Sequence, residues 1–113
     1  MEYAQAFLEQ KSSERPSAVV LGNDPMALGF MRTLLQHGVR VPKEVSVVGF
    51  DGTPDGEQCW PGLTTVRQPT RQMALTACQA LLDSVERRPD RPTSSEFAVE
   101  LLVRESTAAP TRR

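Results

Sequence analysis

The segment "SAVVLGNDPMALGFMRTLLQHGVRVPKEVSVVGFD", residues 17–51, constrains the fold more than any other part of this chain. Its two short β-branched runs, "SAVVLG" and "VSVVGF", lack the polar alternation of a half-solvated strand. Each therefore suits a strand covered on both faces of a parallel sheet. Between them Ala27, Phe30, Met31, Leu34 and Leu35 recur at helical spacing. Asp24 offers an N-cap, Pro25 suits the first helical position and Gly38 ends the run, which predicts a helix over residues 24–37. Strand, helix and strand in this length make one right-handed βαβ unit, so the expected fold class is α/β with a parallel sheet and flanking helices.

The rest of the chain extends that pattern. Tyr3, Ala4, Phe7 and Leu8 form a helical stripe that stops in the polar stretch "KSSERPS". "LTTV" predicts a further short strand, and "RQPT" introduces a helix over residues 71–87 with a stripe of Met73, Ala74, Ala77, Cys78, Leu81, Leu82 and Val85. "RRPDRPTSS" is a proline-rich break, and "EFAVELLVRES" alternates enough for a last strand before the polar tail "TAAPTRR". A length of 113 residues allows one domain at most.

In an open α/β sheet the carboxyl ends of parallel strands border the crevice where ligands bind, and Asn23, Asp24 and Asp51 fall there. A carboxylate accepts hydrogen bonds from hydroxyls and an amide both donates and accepts, which suits a sugar, polyol or nucleoside. Each residue also has a plainer use: Asp24 as the N-cap, Asn23 as an amide supporting its turn, Asp51 as a cap on "DGTPDG". Of the three, Asp51 is the foremost candidate for a ligand contact. Trp60 either stacks on a sugar or packs against a neighbouring subunit.

Composition excludes several function classes. Thirteen basic against fourteen acidic residues leave a formal charge of −1, which gives no general attraction to nucleic acid or an anionic membrane. The arginine pairs at 87–88 and 112–113 suit solvated ends. No apolar run approaches the roughly 20 residues of a membrane span, and "MEYAQAFLEQKSSERP" is not an export signal. Cys59 and Cys78 have neither metal-ligand spacing nor a disulfide framework, which permits a reducing cytoplasm. His37, the single histidine, ends a helix and has no nucleophile to serve, so no catalytic residue, metal site or cofactor is expected. "LGNDPMALG" lacks the spacing of a phosphate-binding loop.

The run "PSAVVLGNDPMALGFMRTLLQHGVRVPKEVSVVGFDG", then "LTTVRQP", then "LLVREST", resembles the C-terminal part of bacterial regulators of the lactose and galactose repressor (LacI/GalR) family, over residues 16–108. The resemblance implies a periplasmic-binding-protein-like sensor, type I, of two Rossmann-like subdomains with a small-molecule effector between them, a sugar or related polyol. It also implies a homodimer in the cytoplasm that meets operator DNA only through an N-terminal headpiece outside these residues. Asn23 in "GND" and Asp51 in "GFD" fall where the family commonly contacts its effector, and Gln68 in "TVRQP" falls where the chain crosses between subdomains, which makes it a further candidate to face the ligand. Residues 1–67 are then mainly C-terminal subdomain, 68–96 the crossover and a helix of the other subdomain, and 97–113 the final strand and tail. Full regulators of this type are about three times as long, so the chain is expected to be a fragment. Gly52 stands where many relatives carry a second carboxylate, and "CWPGLTT" replaces a commoner double proline. Two other readings compete: the solute-binding receptor of a sugar transporter, and a fragment of an α/β enzyme.

Overall fold

The computed structural model describes residues 2–86 and 94–110. Its elements run α1 (Glu2–Glu9), β1 (Ala18–Val20), α2 (Asp24–Gln36), β2 (Ser46–Asp51), α3 (Pro54–Gln58), β3 (Thr64–Arg67), α4 (Thr70–Val85) and β4 (Glu100–Leu102). The fold class is α/β, as expected. Most of "RRPDRPTSS" and the pair Arg112–Arg113 lie outside the described residues.

α2 forms where the apolar spacing predicts it, but its start is built differently. Asn23, extended at φ −158° and ψ 167°, is the N-cap, and its Oδ1 accepts from Met26 N–H at 2.9 Å. Asp24, the expected cap, is the first helical residue and is fully buried. At the other end Gly38 takes φ +78°, Gly38 N–H reaches Leu35 O at 3.1 Å and Val39 N–H reaches Leu34 O at 3.0 Å. That pair of bonds is a Schellman closure, and the left-handed position at its hinge is why glycine stops the helix.

Four strands form one sheet in the order β1-β2-β3-β4. β1 and β2 are parallel with Ala18 opposite Ser46, and β2 and β3 are parallel with Asp51 opposite Arg67. β2 is the better buried strand: Ser46, Val47 and Gly49 are all buried. β1 is not covered on both faces, contrary to expectation. It heads the strand order, and Val20 is 75% exposed. α3 joins β2 to β3 within a stretch whose turn-forming composition conceals it.

The chain divides into two compact units, Met1–Arg67 with Leu101–Arg113, and Gln68–Glu100. In the first, Ala27, Phe30, Met31 and Leu34 of α2 pack with Val45, Val47 and Leu63 of the sheet layer and with Ala4 and Phe7 of α1. The Phe7 and Phe30 rings meet edge to face at 5.6 Å, and the Arg15 guanidinium lies over Phe7. Ser106 stitches the amino ends of β2 and β3 together. Its N–H donates to Gly62 O and its carbonyl accepts from Val47 N–H, each at 2.9 Å. Its hydroxyl donates to Val47 O at 2.6 Å and accepts from Thr64 N–H at 2.8 Å. In the second unit α4 has no buried residue, and Leu75, Leu81, Leu82 and Val85 are exposed.

Candidate functional site

Parallel pairing sets the position of the two foremost candidates. Val20 lies opposite Val48 and Leu21 N–H donates to Val48 O at 2.9 Å, so Asn23 follows the end of β1 while Asp51 ends the adjacent strand β2. Both stand at the carboxyl edge of the sheet, the side on which open α/β folds bind ligands. Asn23 spends Oδ1 on the helix cap, which leaves its amide hydrogens as the donors it can offer.

Asp51 is half-buried and takes φ 115°, the one residue other than glycine with positive φ among those described. Such a conformation costs on the order of 1–3 kcal/mol and persists only when the surroundings impose it, which is why it concentrates at binding sites. Gly52 follows at φ +75°, where a Cβ would press on the backbone and side chain of Arg67. A carboxylate side chain at position 52 has no room in this conformation.

The surroundings that impose this turn centre on Asp24. Its Oδ2 accepts from Thr53 N–H at 2.6 Å and from Thr53 Oγ1 at 3.0 Å, and its Oδ1 accepts from Thr65 Oγ1 at 2.5 Å. The carboxyl group sits over Gly49, where any Cβ would collide with Oδ1. Thr53 is the N-cap of α3 yet makes no side-chain capping bond, because its hydroxyl goes to Asp24. The structure gives Asp24 a different task from the expected N-cap: Asn23 caps α2, and Asp24 ties Thr53 of the "DGTPDG" turn to Thr65 of β3. The missed signal lies in "GND" itself, where only one of two adjacent short polar residues can cap and the other needs a distant partner.

Trp60 does not gather with Asn23 and Asp51. It is 82% exposed and lines a shallow apolar concavity with Leu28, Met31, Leu35 and Cys59, beside the later turns of α2. The Cys59 thiol donates to Gly56 O and Pro61 O, which fixes the loop carrying the indole. Gln68 opens the second unit, in a shallow concavity with Pro69, Thr70, Arg71, Gln72 and Leu75. His37 accepts its plain role at the end of α2, with Nδ1 2.9 Å from Thr33 O. Among the described residues no three His, Cys, Asp or Glu side chains gather as a metal-ligating group, and no helix is long and apolar enough to cross a membrane.

Residues 1–107 match the periplasmic binding protein-like domain family. The chain belongs to this family, as a fragment of the effector-binding domain of LacI/GalR regulators. The arabinose metabolism transcriptional repressor of Geobacillus stearothermophilus is 35% identical over 95% of this chain and 30% of its own length. The structure of the dimeric Lac repressor with an 11-residue C-terminal deletion superposes with a TM-score of 0.84 at 33% identity, over 97% of this chain and 39% of that one. A LacI family regulator of Lactobacillus casei with bound glucose gives a TM-score of 0.79 at 29% identity, over 94% of this chain and 37% of that one. This LacI/GalR chain therefore spans between 30% and 39% of the length of these relatives. They are transcriptional repressors and regulators, not enzymes or transport receptors.

Proposed function

We propose that this chain is the effector-sensing portion of a LacI/GalR transcriptional regulator, and that a small polyhydroxylated molecule, a sugar, related polyol or nucleoside, binds at the carboxyl edge of β1 and β2. The observation that carries this is Asp51, which ends β2 at the carboxyl edge of the sheet in a strained backbone conformation, with Asn23 just beyond the end of the neighbouring strand β1. Asp51 accepts hydrogen bonds from ligand hydroxyls, and the Asn23 amide donates to ligand oxygens. The Lactobacillus casei relative with bound glucose supports a sugar-like ligand.

The effector acts on DNA binding through its preference for one arrangement of the regulator, since a ligand shifts such an equilibrium only by its differential affinity. Operator DNA is met by an N-terminal headpiece outside these residues, because a unit of formal charge −1 has no electrostatic footing on phosphate. The protein works as a cytoplasmic homodimer. Its contact includes Trp60 with Leu28, Met31 and Leu35, an exposed aromatic beside apolar helix turns, which is the make-up of an interface core. The repressor relatives favour this reading over a transport receptor.

Titration calorimetry on the full-length regulator with arabinose, glucose and sucrose tests the site. Asp51→Ala is expected to cost about 1.5–3 kcal/mol of binding, roughly ten- to a hundredfold in affinity. A folded variant with unchanged affinity rejects the role of Asp51. Sedimentation tests the dimer: Trp60→Ala and Leu28→Glu weaken it, and a wild-type monomer at micromolar concentration ends the dimer reading.

A further inference from the structure

We infer that Asp24 is a positioning residue for effector recognition, a buried clamp that holds Asn23 and Asp51 in one geometry without touching the ligand. The inference rests on the reading that those two residues meet the effector. Asp24 is fully buried, and its three hydrogen bonds come from uncharged donors in two other segments, Thr53 after β2 and Thr65 in β3. It is also covalently next to Asn23, the cap of α2. One carboxyl group therefore joins the helix that carries the first ligand contact to the turn that carries the second.

The need for a clamp follows from the backbone. Asp51 at φ 115° occupies a conformation that L-residues rarely adopt, and Gly52 at φ +75° one that glycine tolerates without being confined to it, so neither keeps the turn in place by itself. Thr53 is the next residue, and both its N–H and its hydroxyl are held by Asp24 Oδ2. Gly49 leaves the space that lets the Asp24 carboxyl lie flat against β2, and Thr65, two residues before Arg67 on β3, secures the other oxygen. A loose clamp lets the Asp51 carboxylate wander from the position that Asn23 complements, and misplacements of about 1 Å in such a constellation cost as much as a hundredfold in function.

The experiment uses the full-length regulator. Arabinose, glucose and sucrose are titrated into the wild type, and the tightest binder becomes the probe. Asp24→Asn keeps the side-chain shape but puts a donor where an acceptor is required. It is expected to raise the dissociation constant about tenfold or more, with effector-free operator affinity within about twofold of wild type. A cooperatively folding Asp24→Asn with wild-type sugar affinity overturns the inference. If Asp24→Asn does not fold, Thr53→Val removes one bond alone: a loss of affinity restored in Thr53→Ser supports the clamp, and no loss overturns it. Asp51→Ala keeps the two readings apart. Unchanged affinity in Asp51→Ala rejects the site itself, whereas weakened Asp51→Ala beside normal Asp24→Asn rejects only the clamp. A readout without sugar completes the test: amide exchange at residues 51–53 accelerates in Asp24→Asn relative to that in α1, and an unaltered pattern overturns the inference.

Discussion

α2 and α4 are both helices with an apolar stripe, and the sequence distinguishes them hardly at all. α2 buries Ala27, Phe30, Met31 and Leu34, while α4 buries nothing along sixteen residues. The difference lies in what faces each stripe. α2 packs on β2 and on α1, so its stripe becomes the centre of a core, whereas Leu75, Leu81, Leu82 and Val85 of α4 meet solvent within this chain. Periodicity reveals that a helix has an apolar side; it says nothing of whether the covering surface belongs to the same stretch of chain.

Truncation at the centre of the covered stripe gives the largest effect. Leu34 is fully buried, and Leu34→Ala is expected to cost about 3–4 kcal/mol in denaturant unfolding of the chain, transfer and cavity contributions together. A cost under about 1 kcal/mol breaks the comparison, because the α2 face would then not be a packed core. Next comes overpacking beneath the same helix. Gly49→Ala drives a methyl into the Asp24 carboxyl and crowds Leu63 and Ala27, for an expected loss of about 2–3 kcal/mol by the same measurement.

Leu81→Ala on α4 sharpens the contrast. In the 113-residue chain it should change stability by less than about 0.5 kcal/mol, and in a longer protein whose other segments cover the stripe by about 2 kcal/mol or more. Equal costs in the two settings would show that α4 is not completed from outside. The smallest effect belongs to the rim. The hydrogen bond from Arg40 holds the Glu44 carboxyl below the usual carboxylate range. A depressed folded-state value means a contribution present above the unfolded value and lost as pH falls through the folded one. Because the pair is exposed, that acid-side loss stays below about 0.5 kcal/mol, and Glu44→Gln removes it from a stability titration.

The elements that could be read from the sequence were those whose cause is local. α2 was legible because its stripe lies within it and Gly38 just past its end, and β2 because "VSVVGF" is a mostly apolar, β-branched run. α3 was not, since "PDGEQ" is five residues long with no apolar spacing and sits among turn formers. The same rule divides the site. That Asn23 follows one parallel strand and Asp51 ends its neighbour comes from βαβ geometry, so both candidates could be named in advance. The work of Asp24 could not, since its partners lie 29 and 41 residues away in sequence. Trp60 was undecidable from composition because its surroundings come from another helix, and Gln68 was named through family resemblance alone.

Ser106 gives the molecule a late closing step. Its hydroxyl joins Thr64 across 42 residues and Val47 across 59, so the amino end of the β2–β3 seam lacks this bridge until Ser106 has been made. A growing chain leaves the ribosome with its amino-terminal parts first and folds as units become complete. While the chain from β3 on to Ser106 is being added, β2 and β3 must wait with one end unsealed, and closure over so long a loop is intrinsically slow. A message cut short before Ser106 would therefore leave a product that has every residue of the proposed edge, Asn23, Asp24 and Asp51 alike, and lacks the last stitch that keeps their strands aligned.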